Sequence, residues 1–186
     1  MGKLGISEQS ARTMVGARVR LAPAHPVERD LMVATLLFAD PEINWQMVLP
    51  WHPRPINQTK EWFHGMLDRP DARVFCIQDR LGANALGLAW LEDVRPGLGA
   101  TINLGLLGRR HTGAGLEAGA LLVQYAFCRE NLHRLTAIVA EDNAESIRCV
   151  EAVGFRQEGK LRQSVWRGSW RGCLVYGLLR DEAPWA

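Results

Sequence analysis

The chain is poor in several features that mark common protein classes. It carries four cysteines in 186 residues: Cys76, Cys128, Cys149 and Cys173. They form no C-x-x-C pair, and no histidine stands at ligand spacing from any of them. That spacing gives no disulfide framework and no zinc site. Each cysteine is therefore expected to serve as a small buried hydrophobe, and no metal is expected. No apolar run approaches the roughly 20 residues that a membrane-spanning helix needs. The first residues, MGKLGISEQSARTMVGARVRL, lack the apolar centre of a signal peptide. The Met-Gly start resembles a myristoylation motif, but Ile6 stands where that motif needs a serine or threonine. Neither charge dominates: 22 Lys and Arg against 20 Asp and Glu leave +2. Such a balance offers no general handle for nucleic acid or membrane. Repeats, low-complexity tracts and linkers are missing as well. The expectation is a reduced, cytoplasmic protein, monomer or homodimer, with no nucleic acid or membrane partner.

What is present fits a globular chain, with 47% hydrophobic and 23% charged residues. The length suits one domain, expected over 16–183 after a loose lead-in at 1–15. "ARVRLAP" (17–23) alternates like a strand, and Pro23 and Pro26 end it. "ERDLMVATLLFA" (28–39) reads as a helix, and the proline-marked stretch 40–55 as an irregular loop. A second helix is predicted over 57–70, capped by Asn57 or Thr59, with Pro70 at its end. Strands follow at 73–79, 85–94 and 99–107, then a helix at about 115–131. A strand at 134–140, a short helix at 144–153 and strands near 155–166 and 172–180 complete the chain. This order, β-α-α-β-β-β-α-β-α-β-β, describes a mixed α/β fold on one central sheet.

The stretch "RRHTGAGLEAGALLVQYAF" (109–127) carries the chemistry. Leu116, Ala120, Val123 and Phe127 recur at helical spacing, which predicts one buried face. The first N–H groups of such a helix lack partners within it. Gly113 and Gly115 remove side chains that would block an approaching group. The result is a set of donors at the positive end of a helix dipole, suited to a phosphate. Arg109 and Arg110 add charge, while a plain tight turn with solvated arginines would read the same way. "GAGLEA" also fits the dinucleotide fingerprint G-x-G-x-x-A. However, "RRHT" separates it from the preceding strand, and too few βα units follow.

Arg110-x-x-Gly113-x-Gly115 resembles the R/Q-x-x-G-x-G/A signature of the GNAT acyl-CoA N-acyltransferases. Beyond it, Leu132-His133-Arg134, Asn143 to Ser146, Glu151 to Phe155, Glu158-Gly159 and Leu161-Arg162 resemble the RimJ/RimL-type branch. The resemblance implies a splayed sheet with acetyl-CoA in the split, and an amine acceptor. It implies that the pyrophosphate sits on backbone N–H groups of Arg110, His111, Thr112, Gly113, Ala114 and Gly115, with the charge of Arg109 beside it. It implies a pantetheine arm along Leu106 and Leu107, with Asn143 and Ser146 on its far side. Asn143 also suits the N-cap of the 144–153 helix. The implied reaction is attack of a neutral amine on the thioester, with backbone donors at a strand bulge polarising the carbonyl.

Two departures stand out. The strand before the loop often carries a glutamate in this family, but here it reads Ala100-Thr101-Ile102-Asn103. Val150 occupies a position where many members have a tyrosine. Glu92 and Ser146 are therefore the candidate catalytic residues, with Asp93, His52 and His64 as other possible bases. His133 is expected to pack or cap. Trp45, Trp51 and Trp62 cluster where this fold builds its acceptor pocket, and a tryptophan wall suits an apolar or aromatic acceptor. The expected activity is acetyl transfer to a small-molecule amine or a protein N-terminus. A non-catalytic acyl-CoA-binding module is the alternative that the two departures favour.

Overall fold

The structure is a computed structural model that describes residues 13–41, 43, 55–108 and 113–183. Its elements run β1 (Met14–Val15), β2 (Val19–Pro23), α1 (Glu28–Ala39), α2 (Ile56–Asp68), β3 (Arg73–Asp79), β4 (Ala85–Arg95) and β5 (Gly99–Leu106). They continue with α3 (Ala114–Cys128), β6 (Arg134–Ala140), α4 (Ala144–Val153), β7 (Arg156–Trp166), β8 (Trp170–Leu179) and a 3-10 turn at Arg180–Glu182. The expected order holds, with the two-residue strand β1 added at the start. The eight strands form one mixed sheet, in the order β1-β2-β3-β4-β5-β6-β8-β7. Among the described residues only β5 and β6 pair in parallel, and no helix is long and apolar enough to cross a membrane.

Strand β3, RVFCIQD, is an apolar run with no alternation, because both of its faces are covered. Val74 and Cys76 belong to a cluster with Leu37 and Phe38 of α1, Phe63 and Met66 of α2, and Trp90. Phe75 and Ile77 belong to the opposite cluster, with Leu122, Val123 and Ala126 of α3. Helices α1 and α2 thus cover one face of the sheet, and α3 and α4 the other. Each fully buried Leu or Phe adds about 1.5–3 kcal/mol to this assembly.

Local chemistry fixes the helix ends. Val27 offers α1 no side-chain cap. The buried Asp30 carboxylate instead turns back to accept from the His25 N–H at 2.9 Å and from Arg29 Nε at 2.8 Å. Helix α2 begins at Ile56, after Pro55 with its φ of −52°, and has no side-chain cap. Asn57 and Thr59 are therefore inside the helix, and Thr59 is buried there. Asn143 does cap α4: its Oδ1 accepts from the Ser146 N–H at 3.1 Å.

Helix α3 buries two of the four residues its spacing predicts, Val123 and Phe127, and turns Ala118, Gly119, Leu122 and Ala126 inward in place of the others. Leu116 is 41% exposed. The helix is apolar almost all round, so periodicity discriminates weakly. Small residues decide instead: a Cβ on Gly119 would already touch Val153 Cγ2 of α4 at 3.5 Å. The cysteines are all free; Cys76 and Cys173 are buried, Cys149 is half-buried and Cys128 is exposed. Cys128 departs from expectation because it ends α3, where the helix emerges from the core.

Candidate active site

Strands β5 and β6 pair only at Gly99↔Arg134, Ala100↔Leu135 and Thr101↔Thr136. Beyond that point β5 runs on to Leu106 and β6 to Ala140 without pairing, so the sheet is open between them. The other edge of β5 stays paired with β4 from Glu92↔Thr101 to Gly87↔Leu106. The Leu107 N–H donates to the Leu86 carbonyl at 2.7 Å. Antiparallel ladders alternate, so Asn103 and Gly105 bond to β4, whereas Leu104 and Leu106 turn their N–H and C=O into the gap. An open edge of this kind is a template for an extended chain. Leu106 thus faces the gap, and Leu107 is bonded on the β4 side. The expected bulge does not lie beside the gap. The ladder there is unbroken, and the irregularity falls between Glu92 and Arg95 on β4, where Asp93 has φ 52°.

The mouth of the gap lies at the start of α3. Gly113 precedes the helix in the left-handed region, at φ 85°. A Cβ on Gly115 would sit 3.3 Å from Leu106 Cδ1, so the helix start abuts the open end of β5. Glu117 in the first turn would oppose an anion here, but its carboxylate is engaged. It accepts from the N–H of Ala17 and, at 3.0 Å, of Arg18. This bond ties the β1–β2 turn to α3 and brings Arg18 alongside, with Nη1 3.6 Å from a Cβ built on Gly113. Arg18 is a cation at the mouth that sequence reading missed, because only the fold joins β2 to this helix. Arg109, Arg110, His111 and Thr112 lie outside the described residues.

The opposite face of the gap presents Glu92. Strand alternation places Trp90 and Glu92 on the α1/α2 face, beside Thr101 and Asn103 of β5. Glu92 Oε1 accepts from Trp90 Nε1 and, at 3.1 Å, from Asn103 Nδ2. Its Oε2 lies 4.0 Å from Arg69 Nη1. Arg69 itself bonds to Asp71 at 2.8 and 2.9 Å and to Asp93 at 3.0 Å. Those bonds raise the Arg69 pKa, the Asp71 bond foremost, and hold Asp71 below the usual carboxylate range. Trp62 stands beside this group, edge-on to Trp90 at 5.7 Å and to Phe38 at 4.5 Å. Glu92 is therefore a fixed carboxylate just above the point where β5 and β6 part. Trp45, Trp51 and His52 lie outside the described residues.

A parted parallel pair, a glycine-led helix at its mouth and a carboxylate across it form an open cleft in the sheet. The sequence profile of the acetyltransferase (GNAT) domain matches residues 18–156. The chain belongs to the GNAT acetyltransferase family. The Bacillus subtilis protein YjcK is 38% identical over 79 residues, which cover 41% of this chain and 44% of YjcK. The chain thus spans under half the length of that relative. YokL, an uncharacterized prophage-derived N-acetyltransferase of the same organism, is 24% identical over 77% of this chain and 81% of its own. Among solved structures, a spermidine N-acetyltransferase from Vibrio cholerae, in complex with CoA and spermine, superposes with a TM-score of 0.81. It covers 90% of this chain and 98% of its own at 18% identity, and so shares the fold.

In this GNAT fold α4 follows β6, the far strand of the cleft, and packs against α3. Asn143 is buried at its start, and Ser146 is half-buried one turn in. The hydroxyl of Ser146 takes no part in the cap, which uses its backbone N–H. Cys149 on the same helix has its thiol pushed up by burial. Both tyrosines are engaged away from the cleft. Tyr125 donates to Glu130, and Tyr176 donates to Glu151 Oε1 at 3.0 Å. Burial, then the Glu151 bond, raises the Tyr176 pKa. His64 is exposed on α2, and His133 lies before β6, at the end away from the mouth. Among the described residues no three His, Cys, Asp or Glu side chains are grouped to hold a metal.

Proposed function

We propose that this GNAT chain is an acetyl-CoA-dependent N-acetyltransferase acting on a primary amine. The observation that carries the reading is the gap itself. Leu104 and Leu106 offer an unpaired strand edge, Gly113 and Gly115 lead into a helix N-terminus at one end, and Glu92 stands at the other. A pantetheine arm would bond along that edge, with its phosphates at α3 beside Arg18. The curated relatives and the CoA-bound fold neighbour support this reading. The motifs from Leu132 to Arg162 support placement in the RimJ/RimL-type branch. We read residues 16–183 as one catalytic domain, working in the cytoplasm.

The transfer runs as follows. A neutral amine nitrogen attacks the thioester carbonyl carbon, and the C–N bond forms. Backbone N–H groups facing the gap stabilise the oxyanion, at roughly 3 kcal/mol per donor. The C–S bond breaks with its electron pair going to sulfur. The nitrogen gives one proton to Glu92 Oε2, and CoA departs as thiolate, taking a hydrogen bond from the Ser146 hydroxyl. Glu92 replaces the glutamate that β5 lacks. It comes from the neighbouring strand and reaches the cleft through Asn103.

Thiol release from acetyl-CoA, measured with a panel of amines, tests the reading. Glu92→Gln keeps an oxygen for Trp90 and Asn103 but cannot take the proton, so kcat should fall about 100-fold. Unchanged kcat would remove Glu92 from the chemistry. A second reading, a non-catalytic CoA-binding module, is favoured by Val150 and by the lack of an acid in 100–103. It requires CoA binding by calorimetry with no amine turned over.

A further inference from the structure

Helix α3 carries an acid in its first turn, Glu117. An acid there suits the helix dipole but opposes a phosphate at the same end. The fold turns it aside and gives it another task. Its carboxylate is seated on the turn between β1 and β2: the Ala17 N–H donates to Oε1, and the Arg18 N–H donates to Oε2 at 3.0 Å. Gly16 makes room for it, since a Cβ there would stand 2.8 Å from Glu117 Cδ. The Arg18 carbonyl is fixed as well, accepting from the Arg80 N–H at 2.9 Å. Both backbone groups of Arg18 are thus bonded, one to α3 and one to the turn between β3 and β4.

The side chain carried by this backbone lies over the helix start. Nη1, Cζ and Nε of Arg18 are 3.6, 3.7 and 3.8 Å from a Cβ built on Gly113. Three atoms of one planar group stand nearly equidistant from a point only when that point lies above the plane. The guanidinium is therefore broadside to residue 113, and its N–H groups point sideways across the mouth, not down onto α3. A cation at this end of a helix is at the unfavourable pole. The arrangement becomes favourable when one phosphate group accepts from the first N–H groups of α3 and from the guanidinium edge together. We infer that Arg18 binds the diphosphate of acetyl-CoA and that Glu117 is the positioning residue that holds it there. This inference rests on the acetyl-CoA reading above. The diphosphate is assigned, and not the 3′-phosphate, because Arg18 lies over the residue that leads directly into the first N–H groups of α3. Glu117 acts on the backbone of residue 18, so its acceptor oxygens matter and its charge does not.

Calorimetry on the full chain, with CoA and with dephospho-CoA, which lacks the 3′-phosphate, tests both roles. Arg18→Ala, a change at an exposed position, should weaken both ligands about tenfold, the loss of one charge-assisted hydrogen bond. The loss should shrink at high salt. Arg18→Lys keeps the charge without the planar fork and should recover part of the affinity. For Glu117 the sign of the effect decides. As a bare charge near a phosphate it would oppose binding, and its removal would tighten CoA. As a positioning residue it works the other way: Glu117→Ala should weaken CoA about fivefold. Glu117→Gln keeps an acceptor oxygen for the turn and should bind CoA at least as well as the parent. In the Arg18→Ala background, Glu117→Ala should add no further loss, because the two act through one contact. Equal CoA affinity in Arg18→Ala, or a loss seen with CoA and absent with dephospho-CoA, overturns the assignment of Arg18. Equal or tighter binding in Glu117→Ala, or a full further loss in the double variant, overturns the positioning role. Each of these outcomes leaves the acetyl-CoA reading standing, because the parent still binds CoA. A parent chain that binds neither ligand overturns both.

Discussion

Replacing Gly113 with alanine tests the mouth of the cleft where backbone and ligand meet. Gly113 holds φ 85° as the residue before α3. A Cβ there meets no obstacle, since its nearest neighbour is Arg18 Nη1 at 3.6 Å. The cost is therefore conformational and not steric: about 1–2 kcal/mol for an L side chain in the left-handed region. For a chain of this size that corresponds to a fall in Tm of roughly 2–8 °C. Asparagine tolerates the region better, so Gly113→Asn should recover part of the loss. Gly115→Ala is the control. Its Cβ would press Leu106 Cδ1 at 3.3 Å, a flexible side-chain end that can yield. That variant should melt within about 2 °C of the parent. Calorimetry with CoA completes the test. Relaxing residue 113 out of the left-handed region turns the first N–H groups of α3 away from the phosphates, so Gly113→Ala should bind CoA about tenfold more weakly, the loss of one good charge-assisted hydrogen bond. Equal Tm values for the alanine, asparagine and parent proteins would refute the conformational argument. Equal CoA affinity would refute the phosphate site.

Three further outcomes are expected. Ser146→Ala should lower kcat about 10- to 100-fold with Tm unchanged, since the cap bond uses the backbone N–H; normal kcat would leave the thiolate to solvent. Asp71, Asp79, Glu141 and Glu158 are held below the usual carboxylate range by Arg69, Asn84, Lys160 and Arg134 respectively. Their folded pKa values are depressed, so their contribution is full above the unfolded values near 4 and is lost as pH falls through the folded ones; urea midpoints should decline between about pH 5 and pH 3, and flat midpoints would contradict these bonds. Thiol labelling at pH 8 should show one fast cysteine, Cys128, because burial slows Cys149 and pushes the Cys76 thiol up to about 12; Cys128→Ser should abolish the fast phase, and its persistence would count against the exposure described.

The element order was legible because strands and helices here carry clear boundaries. Pro23, Pro70 and Gly154 end their segments, and Asn143 caps α4 as its sequence suggests. The inward face of α3 was legible only in part: Val123 and Phe127 are buried as their spacing predicts, whereas Leu116 is exposed. AGLEAGALLVQYAF is apolar on most sides, and the contact of Gly119 with Val153 that orients it joins distant segments. Arg18 escaped for the same reason, since Glu117 brings it to Gly113 across the fold. Glu92 was half legible. Its place two residues after Trp90 predicts a shared strand face, but the Asn103 bond depends on the register of β4 against β5. Thr59 reads as a cap in one dimension and is a buried helical residue in three.

The parting of β5 from β6 also makes β5 uneven in time. Hydrogen exchange reads each amide separately, and slow exchange follows bonding within the folded core. Asn103 and Gly105 give their N–H groups to β4, so they belong to the most persistent part of the sheet. Leu104 and Leu106, between and beside them on the same strand, face the gap and exchange with solvent unless an extended ligand bonds there. One strand thus alternates between amides that record the stability of the protein and amides that record whether an extended ligand is bound. A single exchange series along five residues, 102–106, separates the two.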